Sequence, residues 1–170
     1  MKSAPTRGIL QLLRKEGIKI DASSVFEVER AIASGYTYSD ISLSSQELGE
    51  GFEDLVRQGV SLNACSLSQL RRFGEAFKDD DEASKPKLGI RINPGVGSGG
   101  FSKSTTGFSK TNVGGPTSSF GIWVGDLESG EVSRIVEEHQ LTVERIHTHI
   151  GSGSDPEVWK SVASKSLGFA

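Results

Sequence analysis

Residues 18–35 read Ile-Lys-Ile-Asp-Ala-Ser-Ser-Val-Phe-Glu-Val-Glu-Arg-Ala-Ile-Ala-Ser-Gly and place a strand directly before a helix. Residues 18–20 are a short apolar run of strand character. Ser24 followed by Glu27 is the pattern of a capping box, and the apolar residues behind it recur at helical spacing as far as Gly35. The stretch therefore predicts one strand followed at once by one helix.

The same alternation of strand and helix continues along the chain. Further strands are predicted over residues 40–43, 60–63, 87–93 and 143–150. Helices are predicted from Ile9 to Gly17, over residues 51–58, after the second capping pattern at Ser66, around Val132, and from Pro156 onward. Strands that alternate with helices form parallel sheets with helices outside them, so the predicted fold class is α/β.

Composition and charge exclude several classes of protein. The chain has 170 residues, of which 35% are hydrophobic and 24% charged, as expected of one globular domain or part of a larger one. The net charge of -3 argues against a nucleic-acid partner, which requires a basic surface. No run of apolar residues is long enough for a membrane span, and no signal peptide is evident. The single cysteine, Cys65, excludes an internal disulfide and favours the cytoplasm.

Residues 95–125 interrupt the alternation with a long glycine-rich loop. This stretch has no apolar period and no acidic residue, and such loops in compact domains are usually functional. Its beginning, Gly95 to Gly100, matches the dinucleotide fingerprint G-x-G-x-x-G. That fingerprint needs a following helix and a carboxylate about 20 residues on, whereas no acidic residue occurs before Asp126. A dinucleotide site is therefore disfavoured.

Two histidines, His147 and His149, lie on one face of the last predicted strand because side chains alternate along a strand. They could be two metal ligands, but a third ligand is hard to find and no metal site is predicted. His149 also stands immediately before a Gly-Ser loop, residues 151–154, whose backbone N–H groups and hydroxyls suit a phosphate. The phosphate interpretation is the better of the two.

Asp21, Arg91 and His149 each lie at or near the end of a predicted strand. In a parallel barrel the carboxyl ends of the strands meet at one rim, where catalytic residues are found. Structural interpretations remain open: Asp21 could be a turn residue, and Arg91 could be an interior cation, although a buried guanidinium needs a partner.

Several separate motifs together resemble one enzyme family. These motifs are Lys2-Ser3-Ala4-Pro5, Asp21-Ala22-Ser23-Ser24 with Glu27, Arg91-Ile92-Asn93-Pro94-Gly95, Ser119-Phe120-Gly121-Ile122, and His149-Ile150-Gly151-Ser152-Gly153. They resemble the alanine-racemase-like family of pyridoxal-phosphate enzymes (fold type III), and within it the diaminopimelate decarboxylases. The likeness covers nearly the whole chain, with the motifs in the family's order and spacing.

The resemblance implies a site for pyridoxal 5'-phosphate. Lys2 would be the catalytic residue that forms the Schiff base with this cofactor, and Asp21 and Arg91 would lie around it. His149 would stack on the pyridine ring, and Gly151 and Ser152 would bind the phosphate. Lys2 must lose its proton to attack, which burial beside a cofactor promotes.

The resemblance also implies an activity and an architecture. The activity is decarboxylation of meso-diaminopimelate to L-lysine and carbon dioxide, by a cytoplasmic homodimer. The alternatives are an ornithine, arginine or carboxynorspermidine decarboxylase, an amino-acid racemase, or a non-catalytic relative, although retention of Lys2, His149 and Ser152 argues against the last. The expected architecture is an incomplete TIM (β/α)8 barrel, a single domain over residues 1–170.

The chain departs from the family's pattern in two respects. Ser119 stands where the family often has lysine before Phe-Gly-Ile, and the glycine-rich loop 95–125 looks like an insertion. The family's C-terminal β-domain and closing strands have no counterpart here. We therefore expect a fragment truncated at both ends that is inactive alone.

Overall fold

A sheet of six parallel strands organises the part of the chain that the structure, a computed structural model, describes: residues 1–95, 118–149 and 156–169. Strands β1 to β4 lie side by side in chain order, and both β5 and β6 pair with β4. In the pairing of β4 with β6, Arg91 lies opposite His147 and Gly89 opposite Arg145. The predicted α/β class with a parallel sheet is confirmed.

The strands of this part are β1 (Ile20–Ala22), β2 (Ile41–Leu43), β3 (Ser61–Ala64), β4 (Leu88–Asn93), β5 (Ile122–Trp123) and β6 (Val143–Thr148). The helices are α1 (Arg7–Lys15), α2 (Val25–Ala33), α3 (Phe52–Arg57), α4 (Leu67–Ala76), α5 (Val124–Glu128), α6 (Glu131–Glu138) and α7 (Pro156–Leu167), with a 3₁₀ turn at Tyr38–Asp40. Within the described ranges, no helix combines the length and the apolarity that crossing a membrane requires.

Two helices begin at the serines predicted from the sequence. Ser24 Oγ accepts a hydrogen bond from the backbone N–H of Glu27 at the start of α2, and Ser66 Oγ accepts one from Gln69 at the start of α4. The reciprocal bonds differ from a regular capping box. The Glu27 carboxylate accepts from the N–H of Ser23, and Gln69 Oε1 accepts from Cys65, in each case one residue before the expected donor. Both helix starts are thus tied to the strand ends that precede them.

The hydrophobic core lies between the sheet and the helices. Phe52, Phe73 and Phe77 are fully buried there, with the rings of Phe73 and Phe77 4.7 Å apart and those of Phe52 and Phe77 6.4 Å apart. The three rings join α3 to α4. Aromatic rings at these separations stabilise each other beyond their burial of apolar area.

Helices α4 and α6 meet at a glycine. A Cβ atom built on Gly74 would lie 2.3 Å from Cγ of His139, so only glycine leaves room for the imidazole ring. The backbone carbonyl of His139 accepts a hydrogen bond from Lys85 Nζ at 3.0 Å. The imidazole of His139 thus packs on α4, and its carbonyl ties the end of α6 to the segment before β4.

Two sequence-based expectations need correction. The strand predicted over residues 18–20 lies at Ile20–Ala22, because pairing with β2 begins only at Ile20, while Ile18 is 48% exposed. The predicted loop 95–125 falls mostly outside the described residues, but its end forms β5 and the start of α5. A strand of two residues has no periodicity that the sequence could display.

Candidate functional site

One face of the sheet is polar, and we call it the polar face. Ile20, Ala22 and Leu43 point to the helices and are buried in the core. Because side chains alternate along a strand, Asp21 and Ser42 project to the opposite face. Asn63 bonds to Ser42 and to Arg145, so both share this face. His147 lies two positions after Arg145 on β6, and Arg91 is paired opposite His147, so these two belong to it as well.

A chain of hydrogen bonds crosses the polar face through four strand segments. Ser44 Oγ, just after β2, donates to Asp21 Oδ1 at 3.1 Å and accepts from Asn63 Nδ2 at 2.9 Å. Asn63 Nδ2 also donates to Ser42 Oγ at 2.9 Å, and Asn63 Oδ1 accepts from Arg145 Nε at 3.0 Å. The chain thus links β6 through β3 to β1.

Arg91 is a buried cation with few partners. Its side chain is 7% exposed, it lies over the ring of Phe120 at 5.6 Å, and within the described ranges no carboxylate forms an ion pair with it. In the part of the chain that the structure describes, Arg91 Nε has no hydrogen-bond partner. Burial raises the pKa of the neighbouring Cys65 thiol, while the positive charge of Arg91 acts in the opposite direction. A buried guanidinium without a counter-charge is costly, so this position suits a polar or anionic ligand.

Burial lowers the pKa of both His147 and His149, because an imidazolium would lose hydration. The positive charge of Arg91 lowers both values further, and that of Lys2 adds to the effect at His149. Asp21 opposes the shift in both cases. The two imidazoles are therefore kept neutral near pH 7.

These pKa shifts predict a pH dependence of stability. A histidine whose pKa is lower in the folded than in the unfolded state binds more protons when unfolded, so stability is present above the unfolded value, 6.5, and is lost as pH falls below it. We expect the free energy of unfolding to fall between pH 7 and pH 5, and to fall less steeply in His147→Gln. Urea unfolding across that range measures both slopes. Equal slopes would contradict the assignment to His147.

Lys2 lies in the exposed segment before α1, close to the end of β1. The Met1 nitrogen donates to the backbone carbonyl of Asp21 at 2.8 Å, which holds this segment beside the strand. His149 directly follows β6, and Lys2 is held beside the end of β1, so both residues lie where parallel strands end. We call this edge, where the strands end, the carboxyl edge.

The structure brings together four of the six residues proposed from the sequence: Lys2, Asp21, Arg91 and His149. Arg91 lies opposite His147, which is two residues before His149. Lys2 is held beside Asp21 by the bond of Met1. The charges of Lys2 and Arg91 lower the pKa of His149, and that of Asp21 raises it. Gly151 and Ser152 lie outside the described residues. Among the residues that the structure does describe, no group of three potential ligands surrounds the two histidines, so the metal hypothesis gains no support there.

Gln69, which bonds to the predicted helix cap Ser66, is also a structural support of the site. It is 5% exposed, and its Nε2 donates to the backbone carbonyls of Ser45 at 3.0 Å and Gln46 at 2.8 Å. Its Oε1 accepts from the N–H of Cys65. One side chain therefore joins the segments that follow β2 and β3 at the carboxyl edge.

A cleft of about 530 Å³ opens at the carboxyl ends of β1 and β2. Its lining includes Ser23, Phe26, Ser45, Gln46 and Ser119. Ser119 Oγ accepts a hydrogen bond from Gln46 Nε2 at 3.0 Å across the cleft. The volume lies in the range of small-molecule sites, and serine hydroxyls, the Gln46 amide and the Glu47 carboxylate supply its polar side chains.

Comparison with protein families gives a match over the whole chain. A family described as pyridoxal-dependent decarboxylase, pyridoxal binding domain, matches residues 1–170. The chain is 36% identical over 159 residues to the diaminopimelate decarboxylase of Streptomyces coelicolor, covering 91% of this chain and 33% of that protein. It is 33% identical over 152 residues to the diaminopimelate decarboxylase of Escherichia coli K12, covering 86% and 33%. The chain spans about a third of the length of the curated relatives it matches.

Solved structures agree with this match. A crystal structure of diaminopimelate decarboxylase superposes with a TM-score of 0.76 at 31% identity, covering 99% of this chain and 39% of that one. The Helicobacter pylori diaminopimelate decarboxylase complexed with L-lysine superposes with a TM-score of 0.76 at 23% identity, covering 98% and 42%, and supports the fold alone. The family and the fold expected from the sequence motifs are both confirmed.

Proposed function

The chain belongs to the pyridoxal-dependent decarboxylases, and from that premise we propose that it is the cofactor-binding part of a diaminopimelate decarboxylase. The reaction proposed is the conversion of meso-diaminopimelate to L-lysine and carbon dioxide. The observation that carries the proposal is the family match over residues 1–170. The geometry supports it, because Arg91 lies opposite His147 on paired strands and the segment that holds Lys2 is bonded beside Asp21. The diaminopimelate decarboxylases of Streptomyces coelicolor and Escherichia coli K12 each match most of the chain.

The residues on the polar face fit pyridoxal 5'-phosphate. Arg91 Nε, Arg145 Nη2 and His147 Nδ1 are buried without a hydrogen-bond partner among the described residues, and polar atoms of this kind are rare unless a ligand or water completes them. Arg91 and Lys2 supply positive charge beside two neutral imidazoles, a combination that suits an anionic aromatic molecule. When bound, the cofactor supplies the electron sink for the carbanion left as carbon dioxide departs.

In this proposal each residue of the chain has a distinct task. Lys2 Nζ would hold the cofactor covalently, which requires it to shed its proton. His149 would pack on the ring as a neutral imidazole, and Asp21 and Arg91 would bind polar groups around it. Gly151 and Ser152 would bind the phosphate, and this assignment stays a prediction because both lie outside the described residues. A homodimer and a cytoplasmic location also stay predictions.

Substrate choice is tested with the intact protein and a panel of amino acids. We expect release of carbon dioxide from meso-diaminopimelate, and turnover of L-ornithine and L-arginine on the order of 10⁴-fold lower, because both lack the second carboxylate that the site would bind. Carbon dioxide release is measured with each amino acid at saturating pyridoxal 5'-phosphate.

The other outcomes separate the alternative functions. Faster turnover of L-ornithine or L-arginine than of meso-diaminopimelate would show that the protein is a decarboxylase with a different substrate. Inversion at the α-carbon without carbon dioxide release would assign a racemase. Cofactor binding without any turnover would assign a non-catalytic relative.

A further inference from the structure

Asn63 is a buried polar residue for which the proposed reaction gives no task. It lies on β3 and is 1% exposed. It forms one hydrogen bond with each of four residues: Ser42, Ser44, Arg145 and Cys65. The side-chain amide of Asn63 bonds to Ser42, Ser44 and Arg145, whereas Cys65 Sγ donates to the backbone carbonyl of Asn63. A buried amide that is fully bonded fixes its neighbours, whereas one left unbonded would be costly.

The fold reserves space for this amide. A Cβ atom on Gly89 would lie 2.0 Å from Asn63 Oδ1 and 3.0 Å from Arg145 Nε. Since any larger residue at position 89 would collide with Asn63, the glycine on β4 lets the amide and the guanidinium meet above the backbone.

The hydrogen bonds in the chain have a fixed direction. A guanidinium only donates, so Arg145 turns the oxygen of the Asn63 amide toward itself and the NH₂ group toward the serines. Ser44 Oγ must then accept from Asn63, which leaves its single hydrogen for the Asp21 carboxylate. The charge of Arg145 thus sets the orientation of a hydroxyl three strands away.

We propose that Asn63 is a positioning residue that, oriented by Arg145, directs the Ser44 hydroxyl onto Asp21 and so holds that carboxylate at the carboxyl edge. Its consequence for cofactor affinity rests on the function proposed above. The hydrogen-bond chain itself can be tested without the cofactor, so that the two proposals can fail separately.

The cofactor-free test uses Asn63→Asp in the intact apoprotein. An aspartate at position 63 keeps an acceptor for Arg145 but competes with Asp21 for the one hydrogen of Ser44. We expect the loss in thermal midpoint caused by Asn63→Asp to be at least halved in an Asp21→Asn background. In a Ser44→Ala background this coupling should disappear, whereas simple repulsion between two carboxylates would survive. The proposal is overturned if the changes at positions 63 and 21 are not coupled, or if their coupling persists in the Ser44→Ala background.

The second test measures the dissociation constant of pyridoxal 5'-phosphate. Ser44→Ala and Asn63→Asp should each raise it about 2- to 10-fold, the factor that one hydrogen bond carries, and the double variant should raise it no further. Ser42→Ala, which removes the side branch of the chain, is the matched control and should leave it unchanged, while Ser44→Thr should retain wild-type affinity.

The two tests separate the proposals. Additive effects, or an equal effect in Ser42→Ala, would show a merely structural role and overturn the proposal. If the wild-type protein does not bind the cofactor, the proposed function fails, and the cofactor-free coupling alone decides the role of Asn63. If Asn63→Asp does not fold, the cofactor dissociation constants of Ser44→Ala, Ser44→Thr and Ser42→Ala decide whether the hydrogen-bond chain positions Asp21.

Discussion

Replacement of Lys2 by alanine in the intact protein is expected to abolish covalent attachment of pyridoxal 5'-phosphate and turnover together. The segment that holds Lys2 is bonded beside Asp21 at the end of β1, and the charge of Lys2 lowers the pKa of His149, so Lys2 is the residue we expect to attach the cofactor. Borohydride reduction of the wild-type protein, followed by peptide mapping, should place the label on Lys2. The visible absorbance of the bound cofactor should be missing from Lys2→Ala.

Lys19→Ala is the matched control for this experiment. Lys19 is exposed and directly precedes β1, so its removal changes the charge near the same strand without touching the carboxyl edge. Label and absorbance should both be retained. A label on Lys103 or Lys110, or a purified protein that never turns yellow, would contradict the assignment of the cofactor site.

Phe73→Ala is expected to lower the free energy of unfolding by about 3–5 kcal/mol, because it leaves a large cavity in the centre of the core. Phe73 is fully buried and its ring contacts that of Phe77. Urea unfolding of the two proteins measures the difference. Phe26→Ala is the control: its ring is 74% exposed, so the change should stay within about 0.5 kcal/mol. Similar losses in the two variants would show that the core does not depend on Phe73.

Local signals in the sequence were sufficient to predict most of the helices. Ser24 and Ser66 were recognised as helix caps because the capping bond joins residues three apart, a distance that the sequence displays directly. Strand limits were less well predicted, since pairing with a distant strand sets them. Asp21 was expected to follow β1, and it lies inside β1 because Ile20 and Ala22 pair with β2.

The candidate site was predicted through the resemblance of its motifs, and the residues that support it were missed. The contact of Asn63 with Arg145 joins residues 82 positions apart, and the space above Gly89 exists only once β3, β4 and β6 are paired. One signal was available: Ser61 and Asn63 alternate with Leu62 and Ala64 along β3, which marks a strand with one polar face. Nothing in that alternation indicates which polar groups bond to each other.

The contact of Gly74 with His139 restricts the order in which the two positions can change during evolution or protein engineering. Any side chain at position 74 would overlap the imidazole and force α4 and α6 apart, at the cost expected of an overfilled core, whereas shortening His139 first only opens space. A lineage could therefore exchange the glycine for alanine after losing the histidine, but the opposite sequence of substitutions passes through a destabilised intermediate. Where α4 and α6 pack in this way, we expect residues 74 and 139 to be inherited as a pair.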